Sequence, residues 1–254
     1  MGGALIAGWR LAGVLPEGDL ILREPTPGVV ALAAARAGAA LNPPDTRLAE
    51  ARTVILAVKP QGWRAVAGEV APHLAADAVI VSIMAGVATR DIAEVLPGRA
   101  IVRVMPTTSA GVLKGAASIW TTDERGWEVA RGLFEPLGVV AKLEDEGQMH
   151  AATAASGSAP AYVYALVEAL EGAARDAGLA PATARTLARS ALFGAAALLE
   201  QSGAEAGDLR RQVTSPGGTT EAALRVLIGE GALAGLMTRA VAAAAARSRE
   251  LERA

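Results

Sequence analysis

Uninterrupted apolar runs recur through the first half of this chain, and each stops at a turn-forming residue. Thr53-Val54-Ile55-Leu56-Ala57-Val58 gives way to Lys59-Pro60, and Ala78-Val79-Ile80-Val81-Ser82-Ile83 ends near Ala85-Gly86. Ile101-Val102-Arg103-Val104 ends at Met105-Pro106, and the shorter Leu20-Ile21-Leu22 is closed by Pro25 and Pro27. A strand with one wet face alternates polar and apolar residues; a run that is apolar throughout has to be covered on both faces. Helical patterns over 63–74, 89–96 and 123–135 supply such covers. The first half therefore predicts βαβ units in a parallel, doubly wound sheet.

After about residue 147 the strand signal ends. Segments 148–177, 181–202, 205–213, 219–229 and 232–252 read as helices rich in Ala, Leu, Glu and Arg. Gly178 followed by Pro181 stops one helix and starts the next. The second half is expected to be all-α. Helices 181–202 and 232–252 carry apolar residues on more than one face, which predicts burial between subunits.

Composition removes several function classes. Of 254 residues, 52% are hydrophobic, enough apolar side chain to offset chain entropy. There is no cysteine, so neither a disulfide framework nor a thiolate metal site is available. A net charge of −2 and 3% aromatic residues favour neither nucleic acid nor an anionic membrane. The Ala-rich stretches 195–199 and 242–246 are interrupted well short of the ~20 apolar residues of a membrane span. No signal-type segment opens the chain, and a cytoplasmic location is expected.

The segments suited to chemistry lie at strand ends and in one glycine-rich loop. Gly2-Gly3-Ala4 opens a helix and offers Gly2 as a candidate fingerprint glycine. Lys59-Pro60-Gln61, Ser82 to Gly86 and Arg103 to Thr108 occupy equivalent positions beyond three strands, where open α/β sheets bind ligands. Val213-Thr214-Ser215-Pro216-Gly217-Gly218-Thr219-Thr220-Glu221 presents backbone N–H groups at a helix start, which suits a small carboxylate or phosphate. The simpler alternative there is a plain N-cap by Ser215. Ser156-Gly157-Ser158-Ala159-Pro160-Ala161-Tyr162 interrupts a helical pattern, either as a packing kink or as a substrate contact. His73 and His150 are isolated, and Asp145 and Glu146 are expected to cap the next helix.

Together these segments resemble the pyrroline-5-carboxylate reductase family over essentially the whole chain. The 213–220 signature is the most specific element, supported in order by 57–61, 82–86, 103–106 and 156–162. The resemblance implies a Rossmann-like N-terminal domain over 1–147 and an all-α substrate-binding and dimerisation domain over 148–254. It implies NADPH or NADH as cofactor, no metal, and reduction of a cyclic imine to L-proline, the final step of proline biosynthesis. Met1, Gly2, Ala57, Val58, Lys59, Pro60, Met84, Ala85, Gly86, Met105 and Pro106 would contact the dinucleotide. Ser215, Gly217, Gly218, Thr219 and Thr220 would hold the substrate carboxylate, with Thr220 hydrogen-bonding the ring nitrogen as the catalytic residue. A homodimer, or a decamer of five dimers, is implied.

The chain departs from the family pattern at several points. Thr107 stands where an Asn is usual, Ser109 where a Pro is common, and Ala159 where a Gly is common. The family opens with a strand and Gly-x-Gly-Asn-Met-Gly, whereas this chain begins at that Met; the first strand and first two glycines are expected to be missing. Two other readings stay open: an impaired oligomeric relative, and another two-domain reductase such as a β-hydroxyacid dehydrogenase. The latter uses a catalytic lysine on a long helix, but no lysine follows Lys142 here. Glu24 suits ribose hydroxyls and NADH, while Arg23 suits a 2′-phosphate.

Overall fold

The computed structural model describes residues 1–253. Its first elements are α1 (Gly2–Ala12), β1 (Ile21–Leu22), α2 (Val29–Arg36) and β2 (Ala40–Leu41). Then come β3 (Thr53–Leu56), α3 (Trp63–Val70), β4 (Val79–Ser82), α4 (Thr89–Val95) and β5 (Ile101–Pro106). β6 (Gly115–Trp120), α5 (Glu124–Phe134) and β7 (Gly138–Lys142) complete the α/β part. The remainder is helical: α6 (Gln148–Ala152), a π-helical turn (Thr153–Gly157), α7 (Ala159–Asp176), α8 (Pro181–Ser202), α9 (Ala206–Gln212), α10 (Thr219–Ile228) and α11 (Ala232–Arg253). The α/β-then-α order is the one expected.

Two sheets form. β1 and β2 pair in parallel, and the larger sheet runs β3-β4-β5-β6-β7. All neighbours in the larger sheet are parallel except β5 and β6, which are antiparallel with Arg103 opposite Trp120. This corrects the expectation of a wholly parallel sheet. The segment between β5 and β6 holds only a short 3-10 turn, Thr108–Val112, and a connection without a crossover helix brings the chain back antiparallel. β2, β6 and β7 are additional to the strands expected. Among the described residues no strand pairs with the outer edge of β3.

The larger sheet is covered on both faces. On one, Val79, Val81, Val102, Val104 and Ile119 pack with Leu5 and Trp9 of α1 and with Ala130 and Phe134 of α5. On the other, Leu56 and Ile80 pack with Trp63 and Ala67 of α3, Ile92 of α4, and Met84. Alternating strand side chains thus enter two separate cores, which is why the runs are apolar at every position. α1 lies very close to the turn after β5: a Cβ on Gly8 would stand 2.4 Å from the Ala110 carbonyl oxygen, so only glycine fits there. Trp9 closes the same contact by donating from its indole N–H to the Leu133 carbonyl at 2.7 Å.

The chain divides into two compact units: residues 1–157 together with the stretch from Ala243 onward, and residues 158–242. In the second unit α7, α9 and α10 bury no residue, and α8 buries only Ala184 and Ala188. Thr219–Glu252 is long and apolar enough, by length and composition, to cross a membrane. It is nevertheless two helices, broken at Glu230 (φ 52°), and its last two turns bear side chains, Ser248 and Glu252, hydrogen-bonded within the first unit.

Candidate active site

β3, β4 and β5 run parallel and adjacent, so their carboxyl ends share one rim of the sheet. Ala57, Val58, Lys59 and Pro60 follow β3; Met84, Ala85 and Gly86 follow β4; Met105 and Pro106 end β5. Gly2 stands beside the first of these segments, since a Cβ there would lie 3.6 Å from the Ala57 Cβ. α1 begins at this point with Met1 as its N-cap, no side-chain cap and no acidic residue in its first turn. The amides of Ala4 and Leu5 donate to the Met1 carbonyl at 2.8 and 3.2 Å. Those of Gly2 and Gly3 precede any helical acceptor. A helix of 11 residues therefore directs free N–H groups and its positive dipole end outward beside Ala57, a fit for a pyrophosphate.

Of the rim residues Ala57 is exposed, Val58, Pro60 and Ala85 are half-buried, and Gly86, Met105 and Pro106 are buried. Gly86 has φ +70°, and a Cβ there would meet the Leu251 carbonyl carbon at 2.9 Å. Met84 is buried, while Lys59 is exposed at the start of the Pro60–Gly62 turn. Glu24 accepts the Thr26 amide at 3.0 Å, and Arg23 pairs with Asp45 at 3.0 Å, so both residues weighed for ribose recognition already have partners. The Thr107 hydroxyl accepts the Ala116 amide at 2.9 Å and lies 2.8 Å from the Ser109 hydroxyl. The two departures after β5 thus form one hydrogen-bonded pair.

Beneath this rim lies a polar cluster that sequence reasoning missed. Arg103, 2% exposed, donates to Glu146 at 2.8 Å and to Glu252 at 3.0 Å. Glu146 also accepts the amide and hydroxyl of Thr89, at 2.7 and 2.8 Å. Burial opposes its charge, but Arg103 and Thr89 outweigh that and hold the carboxyl below its ordinary range. Contrary to expectation, neither acid is the N-cap of the next helix: that position is Gly147, without a side-chain cap. Glu146 is taken up by Arg103 and Thr89, and Asp145 accepts the Gln148 amide at 3.1 Å from two residues before the cap. His150 is not isolated either, lying 3.0 Å from both Ser248 and Glu252. Spacing in sequence could not reveal partners about a hundred residues away.

The helical interruption near Ser156 is a π-turn. The Ser156 hydroxyl is used on the Ala152 carbonyl at 2.9 Å, and a Cβ on Gly157 would lie 3.4 Å from the Met105 side chain. The turn thus lies against the Met105 side chain at the end of β5.

In the second unit the 215–220 loop forms the start of α10. Gly218 is the N-cap, without a side-chain cap, so the plain Ser215 cap is not what forms. The Gly218 amide donates to the Ser215 carbonyl at 3.1 Å, and Gly217 takes φ +71°. The Ser215 hydroxyl lies over Gly218, where a Cβ would be 2.5 Å from it. Glu221 accepts the Gly217 amide at 2.6 Å and sits 3.4 Å from Arg225. The amides of Thr219 and Thr220 open the helix without intrahelical acceptors. The start of α10 thus brings the Ser215 hydroxyl beside Gly218 and leaves the Thr219 and Thr220 amides free of helical acceptors.

The family model for pyrroline-5-carboxylate reductase dimerisation matches residues 146–251, and that for NADP oxidoreductase, coenzyme F420-dependent, matches residues 1–86. The chain is 37% identical to a pyrroline-5-carboxylate reductase of Pseudomonas aeruginosa, covering 99% of this chain and 93% of that protein. It is 34% identical to one of Pisum sativum, over 99% and 92% of the two chains. A Coxiella burnetii pyrroline-5-carboxylate reductase structure superposes with TM-score 0.88 at 30% identity, over 98% of this chain and 93% of that one. A Plasmodium falciparum pyrroline carboxylate reductase with NADP bound gives 0.85 at 25% identity, over 99% and 94%.

Proposed function

The chain belongs to the pyrroline-5-carboxylate reductase family, and from that premise we propose how its residues reduce 1-pyrroline-5-carboxylate to L-proline. It is an NAD(P)H-dependent oxidoreductase of proline biosynthesis, and it assembles as a homo-oligomer. We assign residues 1–147 to dinucleotide binding and 148–254 to substrate binding and assembly, with five dimers forming a decamer in the cytoplasm.

The observation that carries the reading is the meeting of Gly2 and Ala57 where α1 opens with free amides beside a rim of parallel strand ends. Gly2 and Gly3 amides bind the pyrophosphate there, with Met1 at the same helix start. Ala57 to Pro60, Met84 to Gly86, and Met105 with Pro106 form the strand-end wall against which the rings lie, with Ala57 and Lys59 exposed and Ala85 half-buried along it. The dinucleotide, when bound, supplies a hydride to the imine carbon. Ser215 and Thr219 hold the substrate carboxylate through a hydroxyl and the amides that open α10, while Gly217 and Gly218, whose own amides are taken by Glu221 and the Ser215 carbonyl, shape the loop around it. Thr220 places its hydroxyl at the ring nitrogen, orienting the electrophile and stabilising the protonated imine. The imine is already electrophilic, so juxtaposition of planar groups supplies most of the acceleration.

Thr220→Ala tests this assignment. Imine-dependent NADPH oxidation should fall by roughly tenfold or more, while dinucleotide binding stays at the parent value. Unchanged turnover removes Thr220 from the mechanism. Comparing NADPH and NADH under the same conditions decides the preference; we favour NADPH, in keeping with the family model matched at residues 1–86.

A further inference from the structure

The turn Met84–Ala88 is held from outside the sheet at several points. At its end Thr89 donates its amide and hydroxyl to Glu146, at 2.7 and 2.8 Å. Over its middle lies the backbone of the last turn of α11: a Cβ on Gly86 would stand 2.9 Å from the Leu251 carbonyl carbon and 3.0 Å from the Glu252 nitrogen. One guanidinium ties these contacts together. Arg103, in register with Ser82 at the end of β4, donates to Glu146 at 2.8 Å and to Glu252 at 3.0 Å.

The second oxygen of Glu252 lies 3.0 Å from Nε2 of His150, whose Nδ1 lies 3.0 Å from the Ser248 hydroxyl one turn earlier on α11. With the Nε2–H tautomer, His150 donates to Glu252 and accepts from Ser248, so each donor meets an acceptor. Arg103, His150 and Ser248 are buried, and the Glu252 side chain is only 21% exposed. Thr89, Arg103, Glu146, His150, Ser248 and Glu252 all belong to the compact unit that carries the strand rim.

We propose that Arg103, Glu252 and His150 are positioning residues for the dinucleotide: they seat the last turn of α11 on Gly86 and so fix the Met84–Gly86 turn. This rests on the assignment of that turn to cofactor binding. None of the three touches the reacting atoms. Their effect is to confine a turn whose glycine has a positive φ and whose shape the sheet alone fixes only at the Ser82 end. A cradle loosened by even a fraction of an ångström binds less well, because the ligand must then order it.

The test uses the purified full-length oligomer and reads NADPH binding directly, by nucleotide fluorescence. Glu252→Ala removes both hydrogen-bond partners and should raise the NADPH dissociation constant about tenfold. Its KM for the imine, and kcat at saturating NADPH, should stay within about twofold of the parent. Glu252→Gln is close in shape and restores part of the affinity; should the alanine variant not fold, a rise of about threefold in Glu252→Gln carries the test. A lowered melting temperature with parental NADPH affinity overturns the proposal and leaves the cluster merely structural. Ala85→Glu, which sets a carboxylate against the bound phosphates, separates the two levels. If it abolishes NADPH binding while Glu252 variants bind normally, only the positioning role fails. If it binds NADPH like the parent, the turn is not the cofactor site and the proposal falls with it.

Discussion

A guanidinium on a buried strand has to be neutralised where it lies, and Arg103 meets Glu146 and Glu252 within 3.0 Å. Glu146 is the partner whose titration is displaced downward, so its contribution has a definite sign. A carboxyl held below its unfolded value stabilises the fold fully above that value and loses the contribution as pH falls through the folded one. Urea midpoints should therefore decline as pH drops from about 5 toward 3, and Glu146→Gln should flatten that decline. Parallel pH curves for parent and variant would remove Glu146 from the acid response. Gly8 makes a second claim at this scale. An alanine methyl would sit 2.4 Å from the Ala110 oxygen and 2.9 Å from Leu137, both in the interior. Gly8→Ala should cost about 1–3 kcal/mol in equilibrium unfolding, against the usual gain for Gly→Ala in a helix. Neither residue shows this role in sequence. Gly8 is one of three glycines in α1, and the contact that singles it out comes from a turn a hundred residues later.

Elements were legible where local punctuation and side-chain type agree. α8 runs Pro181–Ser202, matching the sequence reading because Pro181 starts it and Gly203, at φ +60°, stops it. The Val/Ile runs became β3, β4 and β5 for the same reason, since branched apolar side chains fill both cores. β6 escaped because Gly115-Ala116-Ala117-Ser118 offers no apolar run; its place is set by pairing with β5 on one side and β7 on the other. β7 begins at Gly138, whose φ of 146° and close approach to Gly115 only the tertiary fold requires. Between these strands, α5 depends on a local signal of the readable kind. Asp123 caps it by accepting the Gly126 amide at 2.6 Å, and the helix then carries Ala130 and Phe134 into the core. Asp123→Ala should destabilise the protein by about 1 kcal/mol, and Asp123→Asn by much less. Equal losses in the two variants would mean that charge rather than capping is the source.

At the scale of the whole molecule, the helical unit has almost no interior of its own. Phe193 on α8 is 68% exposed and Val226 on α10 78%, with Tyr164, Leu166 and Leu198 exposed nearby in sequence or on neighbouring helices. Fully burying one such side chain is worth about 1.5–3 kcal/mol, so helices left this bare have their stability in association rather than in themselves. That is the physical content of a match to a dimerisation family, and it accounts for the apolar character of Thr219–Glu252 without a bilayer. The α/β unit differs, since both faces of its sheet are filled from within. The two units should then respond differently to one charge placed on α8. Phe193→Glu should weaken self-association by about 100-fold, seen as a monomer in sedimentation at micromolar concentration. Amide exchange should then quicken across 158–242 while β3 to β5 keep their protection. An unchanged oligomer would place Phe193 outside the interface. A monomer whose helices stay protected would show that the helical unit is stable without a partner, which its exposed apolar surface argues against.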